Sequence, residues 1–545
     1  MNITEILRDH ARTRPRAAAL IDEHRGRLTF AELEEESSRG TELLKQTGIK
    51  PGDAVLVFCP VSAELYIILT ALFRKGAVAM FLDPSAGRKH IEQCCSLLKP
   101  AALIATSKAH LLRLISPAMR RIPVKFTVGL PVPGAVQWSR AANAKPHTEI
   151  YRCDTDAPAL ITFTSGSTGK PKAAVRSHGF LLAQHATLER TLRLTAGESD
   201  LVTLPVFGLA NLASSVTSII PAVDLRFPGR IDAARVMAQI HKHQPRSTAA
   251  SPAFLERVVD HCERTGERLS SFKKIFTGGA PVFPPFLERL QRIAPCAEIV
   301  AVYGSTEAEP IAEISRRDIS RDDLDAEMNG RGLLAGMPVE EIQMRVVRDQ
   351  WDEPSTEFAI ESLRARETGE IIVAGDHVLK GYLNGEGDSE TKIHVAGRVW
   401  HRTGDAGYLD ERGRLWLVGR CSARVEDGRG VIYPFTVECA ATCFPQIRRT
   451  AFTLHQGRRV LCIEVDRMNE EELNALKEKL SWAALDEIRI YPRLPVDARH
   501  NAKIDYPALR RLLDRSPLTA QVPSFGNPYL PSQIRNPKSQ KSLNT

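Results

Sequence analysis

The sequence predicts an α/β protein: a large N-terminal domain of mixed layered sheets with helices plus a small β-rich subdomain, hinged to a small α+β C-terminal domain. Three observations predict it. A chain of 545 residues is too long for one hydrophobic core and divides into domains. Residues 54–82 run as apolar strand, helix and apolar strand in quick succession, the pattern of a mostly parallel sheet covered on both faces. From Gly369 onward the texture changes to short strands separated by tight turns.

At the start of the chain, Ile3, Ile6, Leu7 and His10 fall at helical spacing, and Phe30, Leu33, Leu43 and Leu44 repeat the pattern within 29–45. Residues 54–58 form a buried strand, 62–75 a buried helix and 77–82 the next strand. Similar alternation continues through 101–105, 160–164, 274–277 and 298–302. Residues 370–373 and 415–418 are strands of the β-rich part, with a turn at Asp410-Glu411-Arg412-Gly413. A polar, Gly-containing stretch from Ser422 to Gly430 suits a hinge. A strand at 459–464 and a helix at 469–480 then belong to the C-terminal domain. Beyond 515, Pro517, Pro523, Pro528, Pro531 and Pro537 among Ser, Asn and Gln predict a disordered tail. The expected boundaries are 1–420, 421–515 and 516–545.

Hydrophobic content of 43% and charged content of 25% are those of an ordinary globular enzyme. The net charge of +8, from 73 basic and 65 acidic residues, includes Arg535, Lys538 and Lys541 of the tail. No basic block interleaved with aromatics occurs, which argues against nucleic acid as a partner. The ten cysteines form no CxxC pair and no regular framework, so reduced thiols are expected rather than disulfides or a metal site. The N-terminus lacks a basic segment followed by an apolar core, and Pro60, Ser62 and Glu64 interrupt the most apolar stretch. A cytoplasmic protein without an integral membrane segment is expected.

The most informative stretch is Thr164-Ser165-Gly166-Ser167-Thr168-Gly169-Lys170-Pro171-Lys172, directly after an apolar strand. Glycines let the backbone turn its N–H groups toward an anion, while hydroxyls add donors and lysines add charge. A polyphosphate ligand fits this chemistry. A Walker A loop does not, because it needs Gly at position 164 and Ser or Thr at 171, where Thr164 and Pro171 stand. Alone, such a loop is more often a surface turn.

It does not stand alone. Gly278-Gly279-Ala280-Pro281 is a small-residue turn on which a flat ring could lie. Tyr303-Gly304-Ser305-Thr306-Glu307 combines an aromatic face, a hydroxyl and a carboxylate after a strand. Arg402-Thr403-Gly404-Asp405 offers an acid suited to ribose hydroxyls, and Gly419-Arg420 ends the β-rich part. Asn501-Ala502-Lys503-Ile504-Asp505 places one lysine near the end of the folded chain. Taken singly, each has a plain structural role: Tyr303 in a core, Asp405 as a turn cap, Arg420 in a surface pair, Lys503 solvated.

In this order, over about residues 10–515, the motifs resemble the adenylate-forming superfamily of acyl-CoA synthetases, luciferases and peptide-synthetase adenylation domains. The resemblance implies that Thr164, Ser165, Gly166, Ser167, Thr168, Gly169 and Lys172, with Gly278, Gly279 and Ala280, bind ATP. Tyr303 would stack on adenine, Thr306 would bond a phosphate, and Glu307 would ligate Mg²⁺, which takes one or two protein carboxylates beside phosphate oxygens. Asp405 and Arg420 would hold ribose and a nearby phosphate. Lys503 would bridge the substrate carboxylate and the α-phosphate as charge develops there.

Departures from the common pattern narrow the resemblance. Cys421-Ser422-Ala423 occupies the place of the usual charged hinge residue, followed by Arg424-Val425-Glu426-Asp427-Gly428 where coenzyme A ligases carry a glycine-centred loop. The segment Leu494 to Lys503 is longer than usual between proline and lysine, and Ala502 stands where glycine is common. These features look like the β-lactone synthetases of bacterial olefin biosynthesis. So do Asp83-Pro84 with Gly87-Arg88-Lys89-His90, and Pro205-Val206-Phe207-Gly208-Leu209. The implied reaction activates a 3-hydroxy acid as acyl-AMP, after which the substrate's own hydroxyl closes a lactone and releases AMP. An intramolecular hydroxyl has a high effective concentration and needs no second substrate. Transfer to coenzyme A by a fatty acyl-CoA ligase is the alternative, and a non-catalytic nucleotide- or acyl-binding protein is the reading from another class. The substrate pocket is expected beneath Phe207, Gly208 and the Gly278-Gly279 turn, with Leu209, Ala210 and Leu212 as aliphatic neighbours. His500 is a candidate for assisting the attacking hydroxyl.

Overall fold

The computed structural model describes residues 1–82, 87–165, 171–351, 360–497 and 503–515, with the backbone alone at Thr164 and Ser165. The predicted motif residues Gly166, Ser167, Thr168 and Gly169, as well as Asp83, Pro84, His500, Asn501, Ala502 and the 516–545 tail, lie outside them.

Apolar continuity builds the first sheet. Ala54–Phe58 is buried at every position, as a strand covered on both faces must be. It pairs in parallel with Val78–Phe81 on one side and Ala102–Thr106 on the other. The connecting helix, Ala63–Lys75, starts where the Ser62 hydroxyl accepts the Leu65 N–H and is buried from Leu65 through Arg74. That burial explains the apolar run without a bilayer. No helix among the described residues is long and apolar enough to cross a membrane. The sheet has seven strands and closes with Pro158–Ser165 and Pro171–Ser177, an antiparallel pair flanking the glycine-lysine loop.

A second ladder of fourteen strands begins at the hairpin Ala18–Asp22 and Gly26–Thr29. It passes through five parallel strands, ending with Ser247–Ala250, Lys274–Gly278 and Glu298–Tyr303. At Ala312–Ser315 the pairing turns antiparallel. Leu333–Pro338 then bonds both Ala312–Ser315 and Leu415–Arg420, so the β-rich part continues the main sheet. It is completed by Arg398–Leu409, Gly369–Ala374 and Gln343–Val347, with Lys392–Val395 as a branch on Arg398–Leu409. Sequence texture places its start at Gly369. The structure places strands of it from Leu333 onward, because pairing across the ladder, not local composition, defines the sheet.

One buried ion pair ties this region together. The Arg402 guanidinium donates to both carboxylate oxygens of Glu370 (Nη2–Oε2 2.8 Å) and to the Gln350 carbonyl, and lies over the Trp351 ring. Their side chains are 1% and 0% exposed. Removing one member of such a pair strands the other charge, so Arg402→Ala should cost about 3–5 kcal/mol of stability. Chemical denaturation would measure it. A double replacement of Arg402 and Glu370 by methionine should recover most of the loss, and a single variant as stable as the parent would contradict the assignment.

The smaller C-terminal domain has a three-stranded sheet of Arg449–His455, Arg458–Glu464 and Glu487–Tyr491, with helices Pro434–Ala441, Glu470–Lys479 and Tyr506–Arg515. The predicted hinge stretch takes a definite shape. A 3₁₀ turn at Cys421–Ala423 leads into a hairpin of Val425–Asp427 and Gly430–Ile432. Asp427 accepts from both Arg429 and the buried Arg459, which holds the hairpin to the C-terminal sheet. Across the junction, the Tyr433 hydroxyl donates to Asp349 (2.6 Å), Lys479 donates to Asn329 (3.1 Å), and Phe283 and Phe435 meet edge to face.

Candidate active site

Strand ends deliver the predicted residues to one edge of the two sheets. Lys274–Gly278 and Glu298–Tyr303 are parallel neighbours, with Gly278 opposite Val302. A Cβ on Gly278 would lie 2.3 Å from the Val302 carbonyl oxygen, and Gly279 has φ +82°. Only glycines allow this close approach and left-handed turn. The result is a bare backbone platform, with Gly279 exposed and Ala280 beside it.

After Glu298–Tyr303, a tight turn presents Thr306 and Glu307. Its ends are tied by Ser305 N–H to Ala308 carbonyl (2.7 Å), and the Ser305 hydroxyl accepts from the Ala308 N–H. Thr306 is exposed, and its carbonyl accepts from Arg176, which also bonds the Thr162 hydroxyl. The Tyr303 hydroxyl donates to Asp405 Oδ2 (2.7 Å) while Arg420 Nη1 donates to Asp405 Oδ1 (2.8 Å). Burial first, and then the Asp405 charge, pushes the Tyr303 phenol well up, so it stays a donor. Arg420 keeps half of its side chain in the open, at 53% exposure. The aromatic, the acid and the cation thus form one chain on the rim.

Beneath Glu307 lies a cluster of polar residues that sequence reasoning missed. Glu307 Oε1 accepts from the Tyr382 hydroxyl (2.8 Å). Lys392 and Lys172 stand over the Tyr382 ring at 5.3 and 5.8 Å. The Lys392 ammonium donates to the Leu379 carbonyl and to His401 Nδ1 (3.1 Å). Burial pulls Lys392 down to about 8 and holds His401 well below its ordinary value, keeping that imidazole neutral and able to accept. Lys172, expected in the phosphate loop, is itself buried and ion-paired with Glu390. Its ammonium therefore joins this cluster under Glu307. Tyr382, Lys392 and Glu390 carried no sequence signal, since each is an ordinary residue far along the chain from Glu307.

A mostly apolar cavity opens beside the rim. Phe207, Ala249, Phe276, Val302 and the Gly278-Gly279 turn line it, along with Gly304 and Glu309. Phe207 and the Gly278-Gly279 turn stand where the pocket is expected, but Gly208 does not line this cavity and packs against Tyr66 instead. Leu209, Ala210 and Leu212 are not part of it. They face a second cavity against the N-terminal helix, lined by Ile3, Leu7 and Phe73. The reason is helical: in Pro205–Ala213, Phe207 projects to one side, and Val206, Leu209 and Ala210 to the other. Burial pushes the Glu309 carboxyl up to about 7, opposed by the Arg176 and Lys503 charges.

Lys503 is exposed, and its backbone is fixed. Its N–H donates to Asp497 Oδ1 (2.9 Å), its carbonyl accepts from the Asp497 N–H (2.8 Å), and Val496 bridges to Ile504. Its charge is near enough to oppose the upward push on the Glu309 carboxyl. Among the described residues, no group of three His, Cys, Asp or Glu could hold a metal by itself. A single carboxylate with one oxygen engaged by Tyr382 suits a Mg²⁺ ion that draws its remaining ligands from phosphate and water.

The parallel sheet, the glycine platform and the carboxylate rim define the class. The chain belongs to the AMP-binding enzyme family, whose profile matches residues 7–383. It is an AMP-forming ligase of the adenylate-forming fold. It is similar to the olefin beta-lactone synthetase of Stenotrophomonas maltophilia strain K279a, at 32% identity over 88% of this chain and 89% of that protein. It is also similar to the 2-succinylbenzoate–CoA ligase of Bacillus subtilis strain 168, at 26% identity over 81% and 82%. The solved O-succinylbenzoate coenzyme A synthetase of Bacillus subtilis, in complex with ATP and magnesium, shares the fold with a TM-score of 0.74 and 24% identity, over 93% of this chain and 99% of that chain.

Proposed function

We propose that the protein uses ATP as a substrate to activate an aliphatic 3-hydroxy acid as acyl-AMP, and that the acid's own hydroxyl then closes a β-lactone with release of AMP. The observation that carries the reading is the meeting of the Tyr303–Asp405–Arg420 rim and Glu307 with a mostly apolar cavity that Glu309 also lines. The name of the Stenotrophomonas relative supports the second step.

In this reading the 164–169 loop and Thr306 take the phosphates, the Gly278-Gly279-Ala280 platform and Tyr303 take the adenine, and Asp405 with Arg420 takes the ribose. Lys172 acts from below, through Tyr382 and Glu390. Glu307 would hold Mg²⁺, which when bound would neutralise phosphate charge. The Glu307 carboxylate is kept in place by Tyr382, and Lys503 stabilises charge between the substrate carboxylate and the α-phosphate. Residues 1–420 form the adenylation domain, and 421–515 form a domain that carries Lys503 to it. In the closing step the 3-hydroxyl oxygen bonds to the acyl carbon and gives up its proton to water or to the departing phosphate, the bond from acyl carbon to phosphate oxygen breaks and AMP departs. The geometry costs little entropy because both groups belong to one molecule.

Incubation of the purified protein with ATP and a 3-hydroxy acid should give AMP and a β-lactone with or without coenzyme A. The same acid lacking its hydroxyl should stall as enzyme-bound acyl-AMP. Mass spectrometry showing an acyl-CoA thioester as the main product from both acids would replace this reading with that of a fatty acyl-CoA ligase.

A further inference from the structure

We propose that Glu309 is the residue that selects for a hydroxyl on the acyl chain: its carboxylate accepts a hydrogen bond from the substrate's 3-hydroxyl and turns that oxygen toward the activated carbonyl. The inference deepens the reading above and rests on it.

Glu309 is an anomaly in its surroundings. The cavity it lines is otherwise mostly apolar, with Phe207, Phe276 and Val302 among its walls, and among the described residues Glu309 is its one charged side chain, beside the Thr191 and Thr277 hydroxyls. A carboxylate beside such a surface is destabilising unless something donates to it. Among the described residues, nothing does. Arg176, whose charge acts on Glu309, directs its guanidinium to the Thr162 hydroxyl and the Thr306 carbonyl. Lys503 acts on Glu309 only through its charge. The carboxylate oxygens of this half-buried residue are therefore open to a donor, water or a group of whatever fills the cavity.

Position adds to the case. Glu309 follows the turn that presents Thr306 and Glu307, and its Cγ sits over Gly304 at the junction of rim and cavity. An acid whose carboxylate lies at the rim between Thr306 and Lys503 sends its first few carbons past this junction. A hydroxyl on the third carbon comes there, whereas one farther along the chain lies deeper among apolar walls. An apolar pocket alone discriminates weakly against a missing hydroxyl, but a site with a waiting polar partner discriminates strongly. A single hydrogen bond to a charged group corresponds to roughly ten- to a hundredfold.

The test uses the full chain and reads the adenylation step by exchange of pyrophosphate into ATP, so that the later fate of the adenylate has no bearing on it. A 3-hydroxy fatty acid and the unsubstituted acid of equal length are compared by kcat/KM. The parent protein should favour the hydroxy acid by roughly ten- to a hundredfold. Glu309→Ala should bring the ratio close to one by losing on the hydroxy acid, with the simple acid changed by less than about threefold. Glu309→Gln, which keeps an acceptor of the same shape, should fall between them, and it serves as the readout if the alanine variant does not fold. Equal loss on both acids, or an unchanged ratio, overturns the assignment and leaves adenylation standing. Lack of exchange with either acid in the parent protein would overturn the underlying reading as well.

Discussion

Lys503→Ala protein is expected to bind ATP with near-normal affinity and to form acyl-AMP about a hundred- to a thousandfold more slowly, the range for losing one donor at a site of developing charge. The ammonium is exposed, and Asp497 holds the backbone on both sides of it, so the substitution removes charge without disturbing the segment. In the proposed reading, ground-state binding of ATP rests on the rim and the glycine platform instead. A charge needed mainly in the transition state lowers kcat while leaving the dissociation constant alone. Calorimetric ATP binding beside pyrophosphate exchange separates the two. Parallel loss of binding and turnover would make Lys503 a structural residue.

The second large effect is expected at Glu307. Glu307→Ala should reduce exchange about a hundredfold or more at ordinary Mg²⁺, and raised Mg²⁺ should restore part of it, because the ion loses its protein carboxylate. The substitution also deprives the Tyr382 hydroxyl of its acceptor and Lys392 of a nearby opposite charge. Glu307→Gln keeps an acceptor for Tyr382 and so isolates the charge; it should lose nearly as much. Normal exchange in either variant at ordinary Mg²⁺ removes Glu307 from the site.

The parallel sheets were legible because a strand buried on both faces writes itself as an unbroken apolar run, as in Ala54–Phe58. The rim motifs were legible because their special backbone needs leave glycines in fixed places, and Gly278-Gly279 is the clearest case. The rest depended on distant pairing. Leu333–Pro338 joins the β-rich part to the main sheet through partners on either side of it in the ladder, which no local pattern records. Tyr382 meets Glu307 across 75 positions of chain, and Lys172 meets Glu390 across 218. The split of Pro205–Ala213 between two cavities was readable in principle from helical periodicity, which separates Phe207 from Val206 and Leu209.

Arg420 has two attachments. Its guanidinium holds Asp405, and its backbone ends the Leu415–Arg420 strand, with Cys421 starting the turn into the C-terminal domain. In the proposed reading, a swing of that domain about Cys421 would change the torsions that aim the guanidinium. Nucleotide affinity and domain orientation would then be linked quantities, and linkage is reciprocal. Whatever factor an orientation adds to the affinity for ATP, ATP adds the same factor to the population of that orientation. Product release would obey the same reciprocity: an AMP leaving the Asp405 end of the rim would take with it the bias it imposed on the domain.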